Sequence, residues 1–114
     1  MRILFIDDDP MILRGLSRLA KSSGYEAVTT STGYRALQML VGDPSQFHVI
    51  VCDMELPDMT GVDIFNQAPE QCKPLFIFFT GAVEYARQAL GSVPNRIFSK
   101  VESAELFKFL KEME

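Results

Sequence analysis

The apolar residues of this chain come in runs that are short and nearly unbroken. ILFI at 3–6, VIVC at 49–52, LFIFF at 75–79 and RIFS at 96–99 are near-continuous rather than alternating. A strand with one face in water alternates apolar and polar residues, whereas a strand covered on both faces does not. The runs therefore call for a parallel sheet held between two layers of helix. A fifth and weaker run, EAVTT at 26–30, is polar at alternate positions and reads as an edge strand.

Helical spacing fills the gaps between the runs. Ile12, Leu13, Leu16, Leu19 and Ala20 line one helix face, which Gly24 ends. Asp9 is placed to cap that helix, and Pro10 fits its first position. Ala36, Leu37, Leu40 and Val41 form a second stripe, ended by Gly42 and Pro44. Val62, Ile64 and Phe65 begin a third that Pro69 cuts short, and Val83, Ala86, Ala89 and Leu90 form a fourth, crowded by Pro94. Leu106, Phe109, Leu110 and Met113 form the fifth, with Ser103 as its expected cap. Phe107 lies beside this last stripe and either widens it toward the core or offers a partner or dimer contact. Strand followed by helix, repeated along the chain with short connections, is a three-layer α/β domain with right-handed crossovers.

Size and charge fit one such domain. A chain of 114 residues is long enough for one hydrophobic core and too short for two. The whole of 1–114 reads as a single domain, with no output module visible. A net charge of −4 argues against a nucleic-acid surface, and no apolar run approaches the length of a membrane span. The apolar run at 3–6 is also too short for a signal-peptide core. Cys52 and Cys72 form neither a metal pair nor a disulfide framework; free thiols suit a reducing cytoplasm. His48, the only histidine, stands at the start of a strand and reads as structural.

The polar residues at the strand ends carry the chemistry. In an open α/β sheet, ligands bind beyond the carboxyl ends of the strands. The first run ends in Asp7, Asp8 and Asp9, the third in Asp53, the fourth in Thr80 and the fifth in Ser99 and Lys100. Adjacent carboxylates repel one another, and converging ones need a cation or donor. Asp7, Asp8 and Asp9 alone are equally compatible with a solvated, helix-capping loop and with a metal site. Together with Asp53 they make an oxygen-only set suited to Mg²⁺. A lysine and a hydroxyl nearby suit a phosphoryl group.

These residues stand in motifs that resemble the receiver domain of bacterial two-component response regulators. The motifs are I-D-D-D-P at 6–10, V-C-D-M-E-L-P-D-M-T-G at 51–61, F-F-T-G-A at 78–82 and F-S-K at 98–100. They span the chain in the family's order. The resemblance implies the flavodoxin-like, CheY-like fold: a doubly wound, five-stranded parallel sheet in strand order 2-1-3-4-5. It implies Asp53 as phosphoacceptor, with Mg²⁺ or Mn²⁺ held by Asp8, Asp53 and the backbone carbonyl of Glu55, and by Asp7 through water. Thr80 matches the switch hydroxyl, Lys100 the phosphoryl-binding lysine, and Glu55 and Ala82 the positions that tune dephosphorylation. The implied partners are a histidine kinase or histidine phosphotransfer protein and a downstream protein or output domain. A homodimer through the 82–114 face is a further expectation, as is a cytoplasmic location. The domain is expected to catalyse only its own phosphorylation and dephosphorylation.

Two positions depart from the family pattern. Val101 follows Lys100 where proline is usual, so a trans peptide bond is expected there. Ile97 stands where the family often has a switching aromatic residue. These departures keep open a phosphorylation-independent pseudo-receiver acting as an interaction module. A haloacid-dehalogenase-type phosphohydrolase would use Asp7 and Asp9, but Met11 and the lack of an acidic pair after Lys100 count against it, and it leaves Asp53 unexplained. A flavodoxin-like carrier would need a phosphate loop where this chain has acids.

Overall fold

The computed structural model describes residues 1–91 and 96–114. Pro94, expected at the end of the fourth helix, lies outside the described residues. The elements are β1 (Arg2–Ile6), α1 (Pro10–Ser22), β2 (Glu26–Thr30), α2 (Gly33–Gly42), β3 (Val49–Cys52) and α3 (Gly61–Gln67). A 3₁₀ turn (Glu70–Leu75), β4 (Phe76–Thr80), α4 (Val83–Leu90), β5 (Ile97–Ser99) and α5 (Ser103–Glu112) complete the chain. The sheet has five strands in the order β2-β1-β3-β4-β5, and every pair is parallel. This is the expected doubly wound α/β architecture.

The unbroken apolar runs follow from burial on both faces. Leu4, Ile6, Ile50, Cys52, Phe76 and Phe78 face α2, α3 and α4, where Leu40, Ile64, Phe65, Ala86 and Leu90 meet them. Their neighbours Ile3, Phe5, Val49, Val51, Ile77 and Phe79 face α1 and α5, against Leu16, Ala20, Leu106 and Leu110. Phe107 is half-buried and stacks on Phe5 with ring centroids 6.4 Å apart, so it widens the core stripe.

Helix ends follow their side chains. Asp9 caps α1 by accepting from the Met11 N–H at 2.9 Å, with Pro10 as the first helical residue. Thr32 caps α2, and Thr60 with Asp63 forms a reciprocal capping box on α3. His48 is structural: its Nδ1 accepts from the Arg2 N–H at 2.9 Å. Both cysteines are free and buried. Among the described residues, no helix is long and apolar enough to cross a membrane.

Several local expectations are corrected. Ser103 is the first residue of α5 rather than its cap; Glu102 holds the cap position and makes no side-chain cap bond. The run at 75–79 shifts by one residue, because Pro74 and Leu75 close the 3₁₀ turn and β4 extends to Thr80. Leu19, Val41, Ala89 and Met113 were assigned to apolar stripes but are exposed. Leu19, Val41 and Ala89 sit at the edges of their stripes, where the ~100° rotation per residue carries the side chain past the layer interface, whereas Met113 lies beyond the last residue of α5, as its C-cap.

Leu40 and Val41 therefore make a controlled pair. Leu40→Ala is expected to lower stability by about 2–5 kcal/mol, whereas Val41→Ala is expected to stay within about 0.5 kcal/mol of the parent. Urea unfolding of the two variants checks the assignment.

Candidate functional site

Strand register assembles the site. Ile6 pairs with Cys52, so the residues just beyond them, Asp7 and Asp53, emerge side by side. The Asp53 N–H donates to the Ile6 carbonyl at 2.9 Å, which extends the ladder to the acid itself. On the other side Thr80 pairs with Ser99, and the Lys100 N–H donates to the Thr80 carbonyl at 3.2 Å. The strand order thus brings residues from distant parts of the chain to one edge.

Asp7, Asp53 and Thr80 are buried and Asp8 is exposed. One carboxylate oxygen from each of Asp7, Asp8 and Asp53 lies within 4.8 Å of the others. Lys100 Nζ is 2.8 Å from Asp7 Oδ2 and 2.8 Å from Asp53 Oδ2. The other oxygens are also engaged. Asp7 Oδ1 accepts from the Asp9 N–H at 2.9 Å, and Asp53 Oδ1 accepts from Met54 N–H at 2.7 Å and, more weakly, from Glu55 N–H at 3.4 Å. Thr80 Oγ1 accepts from the Ala82 N–H at 3.0 Å, which leaves the hydroxyl hydrogen as a donor. Asp53, Glu55, Thr80, Gly81, Ala82 and Lys100 line an open cleft of about 250 Å³.

Electrostatics follows from this packing. Burial pushes the Asp7 carboxyl above its ordinary value, and the nearby Asp53 adds to the rise against the opposing hydrogen bonds from Lys100 and Asp9. Burial works against the Lys100 charge, but its bonds to Asp53 and Asp7 outweigh that and hold its pKa above the usual value. Three carboxylates facing one ammonium leave excess negative charge. An all-oxygen set of this kind fits a hard divalent cation. Burial and the charges of Asp53 and Asp7 also keep the Cys52 thiol far from ionising.

Every candidate site residue lies at this end of the sheet except Ile97. Ile97 is half-buried in β5 and packs beneath the cleft against the α2–α4 side of the core. Phe98, its neighbour, packs on Phe109 with centroids 5.6 Å apart. The Lys100–Val101 bond is trans, no cis peptide occurring among the described residues. The corner is held without proline. Ser99 N–H donates to Glu102 Oε1 at 2.9 Å, Glu102 N–H to the Ser99 carbonyl at 2.8 Å, and Val101 N–H to Ser99 Oγ at 3.3 Å.

Two contributors were not anticipated. Glu102 orders the corner that carries Lys100. Asp58 accepts from Gly33 N–H at 2.9 Å and Tyr34 N–H at 2.8 Å, which ties the loop after β3 to the start of α2. Those two donors lower the Asp58 pKa. Gly61 is required by close approach, since a Cβ there would collide with the backbone of Asp53 and Met54.

The fold and site define a receiver domain. The chain belongs to the response regulator receiver domain family, whose model matches residues 3–111. It is 42% identical over 64 residues to the transcriptional regulatory protein KdpE of Mycobacterium tuberculosis, an alignment covering 56% of this chain and 27% of that protein. It is 43% identical over 61 residues to a two-component response regulator of Oryza sativa, covering 54% of this chain and 9% of the relative. The matched part is thus a minor share of each relative's length. Among solved structures, a CheY-like response regulator receiver domain protein of Methanospirillum hungatei superposes with a TM-score of 0.82 at 26% identity, over 98% of this chain and 91% of that one. The response regulator TrrA of Thermotoga maritima, solved in complex with Mg²⁺-BeF, has the same fold with a TM-score of 0.83 at 23% identity, over 99% and 98% of the two chains.

The raised Asp7 pKa has a definite consequence for stability. A carboxyl whose folded pKa lies above its unfolded value favours the folded state while protonated. It loses that contribution as pH rises from the unfolded value through the folded one. Asp7→Asn removes the charge and keeps an acceptor for Asp9, so it is expected to stabilise the metal-free protein at pH 7. The gain should shrink as pH falls from the raised folded value toward about 3.8, and vanish below it, where Asp7 is protonated in both states. Urea unfolding in EDTA across this range measures it.

Proposed function

We propose that this domain accepts a phosphoryl group on Asp53 from a phosphohistidine donor in a Mg²⁺-dependent reaction, and passes the signal on through a change of its surface. The observation that carries this reading is the convergence of Asp7, Asp8, Asp53 and Lys100 beside the Thr80 hydroxyl in one open cleft.

The oxygen donors fit the metal. Asp8, Asp53 and the backbone carbonyl of Glu55 would hold Mg²⁺, or Mn²⁺ in its place, with Asp7 acting through water. When bound, the ion supplies positive charge against the oxygens of the transferring group. An Asp53 oxygen attacks phosphorus as the phosphorus–nitrogen bond to the donor imidazole breaks, and the imidazole retains the electron pair. Lys100, already paired with Asp53, turns its ammonium to a phosphoryl oxygen as that charge grows. The Thr80 hydroxyl donates to another oxygen.

That last bond supplies the switch. Moving Thr80 toward the phosphoryl group disturbs its contact with Ala82 and the start of α4. Ile97 answers by repacking rather than by an aromatic flip. Glu55 and Ala82, which line the cleft, control access of water and hence the lifetime of the acyl phosphate. The domain in this reading catalyses only its own phosphorylation and dephosphorylation.

The donor is a histidine kinase or a histidine phosphotransfer protein, and the receiver of the signal is a downstream protein or output domain. A homodimer through the 82–114 face is one form that output takes. Free cysteines suit the cytoplasm as the place where this happens. The phosphorylation-independent reading finds no support: the side chains assigned here to the metal and the phosphoryl group stand together at one end of the sheet, and the corner at Lys100 is ordered without proline.

Intact mass after incubation with phosphoramidate tests the proposal. A phosphoryl adduct that requires Mg²⁺ and disappears in Asp53→Asn is expected. A folded protein that gains no adduct would contradict it.

A further inference from the structure

The loop between β3 and α3 is a small hairpin with two attachments. Its base is closed by the Gly61 N–H donating to the Met54 carbonyl at 2.9 Å and by an antiparallel bridge between Glu55 and Thr60. Its tip is held by α2. Asp58 grips the Gly33 and Tyr34 N–H groups at 2.9 and 2.8 Å, and Met59 fills the notch that Gly33 leaves by having no Cβ. Glu55 stands at the base, two residues beyond Asp53, and lines the cleft.

We propose that Asp58 is a positioning residue for the metal site, fixing the Glu55 carbonyl by anchoring the hairpin tip to α2. The inference rests on the reading of that carbonyl as a metal ligand. A backbone carbonyl has no rotamer of its own, so its direction is set by the peptide planes around it. The base bridge alone leaves a short hairpin able to pivot. The grip at the tip removes that freedom, and it is made by a carboxylate bound to two backbone donors, which are charge-assisted bonds. Asp58 therefore acts at a distance, through the loop, as an outer partner orienting a ligand. The same residue adds an acceptor at the start of α2, whose side-chain cap is Thr32 accepting from Arg35 N–H at 3.2 Å. That separation allows the two roles to be distinguished.

Mn²⁺ binding, followed by the electron paramagnetic resonance of the free ion, gives a readout independent of phosphorylation. Asp58→Ala is expected to raise the Kd roughly tenfold, within the range found for outer-shell partners of metal ligands. Asp58→Asn keeps an acceptor oxygen and is expected to fall between Asp58→Ala and the parent. It also serves if the alanine variant does not fold. Thr32→Ala removes a cap from α2 without touching the hairpin and is expected to leave Mn²⁺ binding unchanged. Parent-like binding in both Asp58 variants, or equal weakening by Thr32→Ala, would overturn the positioning role. Absence of Mn²⁺ binding in the parent protein would remove the metal reading itself, a separate failure.

Discussion

Lys100 sits between two buried carboxylates, and much of this structure serves to hold it there. An isolated ionised carboxylate is costly to bury. Asp7 and Asp53 are both buried, at 2% and 5% exposure, and they stand next to one another. One ammonium 2.8 Å from each makes the pair tolerable in the metal-free protein. Removing the ammonium would leave both buried carboxylates uncompensated, a loss that typically costs about 3–5 kcal/mol. The sheet order, the trans corner after β5 and the Ser99–Glu102 bonds all bear on where that ammonium lies.

The same arrangement explains why the site is suited to a hard cation. It is held short of neutrality: three acidic groups face one base, an excess of negative charge that suits a divalent cation. At Asp7 burial disfavours the charged form, which is the form that a metal site there would need. Such conflict between local cost and global arrangement is what functional sites show.

How much of this was legible in the sequence depended on the kind of interaction. The two-face burial of the sheet was written in the unbroken runs, because each strand residue must meet one helical layer or the other. The chemistry was legible for the same reason: strands that end together present their next residues together, so Asp7, Asp53, Thr80 and Lys100 converge. The contacts that were not legible depend on no period. Asp58 reaches Gly33 and Tyr34 across 25 and 24 residues of chain. Glu102 bonds back to Ser99 at a corner where neither helix nor strand spacing applies. Leu19, Val41 and Ala89 lie outside the buried faces because apolar identity does not state how wide such a face is, and Met113 because it does not state where the helix ends.

The central claim is that the acidic cluster is a divalent-cation site whose repulsion is relieved by the ion. Its most direct test is the urea stability of the parent protein as a function of Mg²⁺. Binding to the folded state alone stabilises by RT ln(1 + [L]/Kd), about 1.4 kcal/mol at tenfold excess over Kd. A logarithmic rise of stability with Mg²⁺ that vanishes in Asp8→Asn is the result this account predicts. Stability independent of Mg²⁺ in the folded parent protein would contradict it.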